Sequence, residues 1–107
     1  MDDATVHNYR DTNGPWEEMG PDDVRIDRAT RWGNPYRITS TQTREDVVDH
    51  YRAYLWNLLR FDARLMRAVA DLHGKRLWCW CYPLACHGDV LSHAAKWASK
   101  MLDKETT

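Results

Sequence analysis

The chain is expected to fold as a small α/β domain, with helices on both sides of a short parallel or mixed sheet. Three features lead there. Short β-like stretches, residues 5–9, 23–27 and 76–81, share the chain with longer stretches of helical periodicity from residue 43 on. The last of them is apolar on both faces. Leu77, Cys79 and Cys81 point one way and Trp78 and Trp80 the other, which suits a strand covered by helices on each side. It then runs through a proline-containing loop into a helical pattern, a step common in α/β layers. Three layers and three or four helices follow.

The elements can be justified in order. Residues 5–9 are short and weakly β-like. Residues 11–21 are rich in Gly, Pro, Asn and Asp and form a loop. Residues 23–27 alternate charged and apolar, as a half-exposed strand does. Thr43 is placed to cap a helix whose first turn is acidic. Val47, Tyr51, Leu55 and Leu58 then make one apolar stripe, widened by Val48 and Leu59. Asp62 caps a second, shorter helix carrying Leu65, Met66, Val69 and Leu72, and Gly74 supplies the left-handed residue that ends it. The last helix begins near Cys86 and buries Val90, Ala94, Trp97, Ala98 and Met101, leaving Lys96 and Lys100 to solvent. The 107 residues suffice for one domain, with residues 1–4 and 103–107 fraying at its ends.

Composition narrows the function classes. A net charge of -1 gives no global pull toward nucleic acid. No apolar run nears the roughly 18 residues of a membrane span. No leader-type apolar region follows Met1, so the three cysteines are expected as reduced thiols in a cytoplasmic protein rather than as a disulfide framework.

All three cysteines and His87 fall in one strand-loop-helix segment, residues 75–89, at the kind of junction where α/β proteins place ligands. Cys79, mid-strand between two tryptophans, reads as a small buried hydrophobe. Cys81 ends the strand and Cys86 starts the helix, where a thiol ionises more readily. His87 offers a proton carrier or an anion contact. One reading is a thiolate, or an anion held on the helix's unpaired N–H groups. The other is Cys86 packed under the sheet and His87 capping the loop. Cys79, Cys81, Cys86 and His87 are ligand types zinc accepts. Adjacent residues at a helix start diverge by about 100°, however, and no Cys-x2-Cys spacing is present; no metal ligands are assigned. Asp89 complements the helix dipole, with a general base as its lesser role.

A second segment, residues 28–37, holds Arg28, Arg31 and Arg37 around Trp32-Gly-Asn-Pro-Tyr36. Gly33 would supply a positive φ or let a ligand approach closely. Trp32 and Tyr36 are expected to seal one end of the core, while Asn34 and one or more arginines bind a ligand. If the first two strands flank the cysteine strand, this loop and Cys86-His87 border one pocket. Tyr51, Tyr54, Trp56 and Phe61 fall at helical spacing and indicate core packing or a dimer face.

Val6-x-Asn8, Arg28 with Trp32-Gly-Asn-Pro-Tyr36, Thr43-Arg-Glu45, Leu72-x-Gly-Lys75 and Leu77-x-Cys-Trp-Cys-x-Pro-Leu-x-Cys-His-Gly-Asp-Val-Leu91 together resemble the family known as Domain of Unknown Function 4326, found in bacteria and their phages. The resemblance covers nearly the whole chain. The last segment is also similar to a more distant group, Domain of Unknown Function 488, in which Cys-His-Arg opens the final helix; Gly88 stands where that Arg would be. Both resemblances imply a small Rossmann-like layer.

The function expected is binding of a nucleotide or another phosphorylated small molecule at the carboxyl end of the cysteine strand. If chemistry follows, Cys86 or Cys81 is the nucleophile and His87 the acid/base, with Asn34 and Arg28 orienting the ligand. The rivals are a non-enzymatic interaction module, for example a phage protein acting on a host protein, and a zinc-stabilised fold. No cofactor is named by the residues. Nucleic acid, a host protein or a second copy of the chain stay open as partners; a membrane does not.

Overall fold

The computed structural model describes residues 3–8, 20–27, 30–79 and 86–106, with side chains through residue 103. Arg28, Trp80, Cys81 and the loop to residue 85 lie outside the described residues. In chain order come β1 (Thr5–Asn8), β2 (Asp23–Arg25), α1 (Arg44–Leu59), α2 (Ala63–Ala70), β3 (Arg76–Cys79) and α3 (His87–Thr106).

The strands form a parallel sheet in the order β1-β3-β2. The cysteine strand is therefore central, and the first two strands flank it. Register sorts the side chains into two faces. Val6, Leu77 and Val24 form one row, with Asn8 and Cys79 next along the same face. Thr5, Arg76 and Asp23, then His7, Trp78 and Arg25, form the other face.

The first face carries the core. Leu77, Cys79 and Ile26 are buried against Tyr51, Leu55 and Leu59 of α1, Leu65 and Val69 of α2, and Val90, Leu91, Ala94, Ala95 and Ala98 of α3. Each fully buried Leu, Ile or Val here contributes roughly 1.5–3 kcal/mol of transfer free energy. The second face is polar. Arg76 grips Asp23 through Nε to Oδ1 at 2.6 Å and Nη2 to Oδ2 at 3.2 Å. Trp78 donates its indole N–H to the same carboxylate at 2.9 Å, and the ring of His7 lies 4.9 Å from that of Trp78. The Arg76 guanidinium holds the Asp23 carboxyl well below the usual carboxylate range, against an opposing push from burial. Trp78 was expected to face apolar cover. It sits instead among charged rows, because the indole N–H finds a carboxylate there. The described residues thus supply a parallel sheet and three helices, an α/β arrangement whose helices share the core on the Leu77 face.

Local chemistry sets the helix ends. Thr43 and Asp46 form a capping box at α1. Asp62 caps α2 by accepting from Leu65 N at 3.0 Å. Gly74 takes φ 81° where the chain leaves α2 for β3. On α1 the buried stripe is Val47, Tyr51, Leu55 and Leu59, while Leu58 is exposed; the i+4 ridge continues to 59. On α3 the small side chains of Ala94, Ala95 and Ala98 are fully buried, and Trp97 is displaced outward, edge-on to Trp56 at 4.9 Å. At the ends, Ala4 is buried with its carbonyl accepting from Ser92 Oγ at 2.8 Å.

Candidate functional site

All three strands run the same way, so Asn8, Ile26 and Cys79 meet at one carboxyl edge, and α3 begins there. Register fixes the depth. Asn8 is paired with Cys79, and Ile26 N donates to Trp78 O at 3.0 Å. The chain then returns at Cys86 beneath this edge.

Cys86 occupies the capping position of α3. Its sulfur accepts the Gly88 N–H at 3.3 Å, and its carbonyl accepts the Asp89 N–H at 3.1 Å. The same sulfur lies 3.2 Å from Cys79 Sγ and 3.6 Å from His87 Nδ1. Neither cysteine is disulfide-bonded, and both are buried, at 1% exposure for Cys79 and 2% for Cys86.

His87 is the first residue of α3 and is 7% exposed. Its Nε2 lies 2.5 Å from Ile26 O. A carbonyl only accepts, so Nε2 carries a proton in this arrangement. Nδ1, the nitrogen nearer the Cys86 sulfur, is then the acceptor nitrogen of the neutral ring. Tyr51 of α1 closes the far side, its ring edge-on to the imidazole at 5.2 Å. Its hydroxyl donates to Trp32 O at 2.9 Å. Burial pushes that hydroxyl well above the ordinary phenol range, with Tyr54 and Cys86 adding to the effect, so it stays a neutral donor.

Residues 7–97 match the family described as Domain of unknown function (DUF4326). The chain belongs to the DUF4326 family. Over 71 residues it is 32% identical to the "Uncharacterized 12.4 kDa protein in nrdA-td intergenic region" of Enterobacteria phage T4, a match covering 66% of this chain and 65% of that protein. The matched part is thus a little under two thirds of the phage protein's length. No solved structure matches the chain.

In this DUF4326 chain the two segments singled out from sequence meet through Tyr51. It touches His87 on one side and the Trp32 carbonyl on the other. Asn34 is buried there, donating to Val47 O at 3.0 Å and accepting from Tyr36 N at 2.9 Å, and so pins residues 32–36 to α1. Gly33 does not supply a positive φ; among the described residues only Gly74 has one. Gly33 N instead donates to Thr30 O at 3.1 Å in an ordinary turn. Asp89 is exposed in the first turn of α3. Arg28 and Cys81 lie outside the described residues.

Gly88 has a packing reason. A Cβ there would meet Val6 Cγ1 and Ile26 Cδ1, each at 3.0 Å. The glycine lets α3 rest directly on β1 and on the segment after β2, and it leaves no room for the Arg of the distant group. Tyr51 and Asn8 were not picked out as site residues. Tyr51 carried a signal, a hydroxyl on an otherwise apolar stripe; Asn8 carried one as a polar residue closing a strand. Among the described residues no three His, Cys, Asp or Glu side chains are placed to share an ion, and no helix is long and apolar enough to cross a membrane.

Proposed function

We propose that this chain binds a small molecule at the carboxyl edge of its sheet and acts on it through a thiolate, with Cys86 as nucleophile and His87 as its proton carrier. One observation supports this above the others. The Cys86 sulfur takes the Gly88 N–H at the start of a long helix while an imidazole nitrogen stands 3.6 Å away. Burial favours the neutral thiol, but the helix end and the imidazole act on the sulfur directly and favour the anion.

The ligand class we favour is a nucleotide or another phosphorylated small molecule. Its support is positional, because a helix start at the carboxyl edge of a parallel sheet is where such ligands sit. The Gly88 amide already bonds to the Cys86 sulfur and the Asp89 amide to the Cys86 carbonyl, so the anion held at this helix start is the thiolate, on the Gly88 N–H alone. A phosphate would sit above it, toward residues 30–34, with Gly33 and Asn34 beside it and Asp89 at the rim; Arg28, outside the described residues, is proposed as a further ligand from the sequence alone. Cys81 is the alternative nucleophile.

Ultraviolet thiolate absorbance of wild type minus Cys86→Ser tests the central claim. A difference already present at neutral pH, and diminished in His87→Gln, is expected. A difference that grows only in the alkaline range of an ordinary thiol would overturn the reading. Thermal-shift measurements with nucleotides and sugar phosphates test the ligand class. Stabilisation of wild type and not of His87→Gln is expected, since Gln keeps a donor for Ile26 O but carries no proton.

A second reading rests on a different surface. An open groove of about 760 Å³ runs along α1, lined by Tyr36, His50, Tyr54, Trp56, Asn57 and Arg60. Phe61 is 85% exposed at the end of α1. This face fits a protein partner, with a second copy of the chain as the first candidate. Sedimentation of wild type against Tyr54→Ser/Phe61→Ser decides it: a concentration-dependent dimer lost in the variant supports the face, and a monomer in both removes self-association.

A further inference from the structure

The thiol site contains a second sulfur that the proposed reaction does not use. Cys79 Sγ lies 3.2 Å from Cys86 Sγ, on the core face of the central strand. Sulfurs at that separation are already in contact, and a disulfide asks only about an ångström of further approach. The two residues are seven positions apart, on two elements that the sheet and α3 hold together. Cys86 is the sulfur with the helix amide and the imidazole; Cys79 stands behind it on β3.

We infer that Cys79 and Cys86 are a dithiol that a small hydroperoxide converts to a disulfide, with Cys86 attacking first and Cys79 resolving. This rests on the reading of Cys86 as the reactive thiol. The chemistry balances in two steps. The Cys86 thiolate attacks a peroxide oxygen; an S–O bond forms and the O–O bond breaks. The departing hydroxide takes the Cys86 proton, carried by His87, and leaves as water. Cys79 then attacks the Cys86 sulfenic sulfur; an S–S bond forms and the S–O bond breaks. The sulfenic hydroxyl leaves as water with the Cys79 proton. Two thiols and one hydrogen peroxide give one disulfide and two waters, the sulfurs losing the two electrons that the peroxide oxygens gain.

The consequence is regulatory as well as chemical. The disulfide removes the thiolate that α3 holds at its start, and it ties the end of β3 to the start of α3. Oxidation then switches the proposed site off, and a reducing dithiol restores it.

The test uses the full chain and hydrogen peroxide. Thiols are counted under denaturing alkylation, and the bridge is mapped by peptide mass. Wild type is expected to fall from the three thiols of the sequence to one, through a Cys79–Cys86 bridge, and to return to three with dithiothreitol. Cys81→Ser should form the same bridge. Cys79→Ser should accumulate a Cys86 sulfenic acid that a dimedone probe traps. A bridge running to Cys81, or a lasting Cys86 sulfenic acid in wild type, would overturn the dithiol while leaving the reactive thiol standing. No reaction at Cys86, together with no thiolate absorbance at neutral pH, would remove both. The mapping in wild type does not depend on how any variant folds.

Discussion

The starts of α1 and α3 solve one problem with different chemistry. At α1 the exposed residues Thr43 and Asp46 exchange hydrogen bonds, Thr43 N to Asp46 Oδ2 at 2.9 Å and Asp46 N to Thr43 Oγ1 at 3.2 Å. Hydroxyls and carboxylates are the strongest caps available. At α3 a sulfur does the capping and an imidazole opens the helix, both buried. Sulfur is a weak acceptor, and cysteine is not among the favoured caps. A helix needing only a cap has better choices, and α1 and α2 use them. Local rules broken at one place and kept elsewhere in a chain point to a site. Matched positions in the two helices turn that contrast into measurements.

The first helical position should show the largest difference. His87→Ala leaves the Ile26 carbonyl without its donor and opens a cavity against Tyr51, a loss of roughly 2–4 kcal/mol in denaturant unfolding. The matched change at α1, Arg44→Ala, should stay within about 0.5 kcal/mol. Equal losses would mean that the imidazole is no more embedded than a surface side chain.

The second position comes next. Gly88→Val must displace Val6 and Ile26, which a Cβ already meets at 3.0 Å, and should cost roughly 1–3 kcal/mol. Glu45→Val at the same place in α1 meets solvent and should cost about 0.5 kcal/mol or less. A tolerated Gly88→Val would mean that α3 can lift from the sheet, and the close approach would lose its role in setting the sulfur and imidazole.

Much of this was legible in the sequence, for reasons that differ by residue. Thr43 and Asp62 announced two helix starts because capping is local chemistry written within four residues. The cysteine strand and the helix after it were legible because their periods differ. The central place of β3 was not, since parallel order is set by crossovers that leave no local trace. Trp78 was misplaced for a related reason. Its own strand looks apolar on both faces, and only its register between His7 and Arg25, with Asp23 accepting the indole N–H, shows that its row is polar. Cys86 and His87 were visible as a pair, but the partner joining them to residues 32–36 is Tyr51, and side-chain contact across two helices has no spacing to read.

The smallest effect concerns acid. The Asp46 carboxyl is held below its usual range, first by the Thr43 backbone N–H and then by the Thr43 hydroxyl. A depressed folded-state value means stability that is present above the unfolded value of ~3.9 and is lost as pH falls through the folded one. The α1 cap should therefore weaken below about pH 4. Asp23 on the sheet acts with the same sign, so wild type alone mixes the two. The difference between wild type and Asp46→Asn isolates the cap, because Asp23 is common to both. Unfolding midpoints measured from neutral pH into acid should converge for this pair as the carboxylate is lost. Cys86→Ser removes no carboxylate and should keep a constant offset from wild type across that window. A Cys86→Ser offset that also closed in acid would tie the start of α3 to a carboxylate, and the contrast between the two helix starts would disappear.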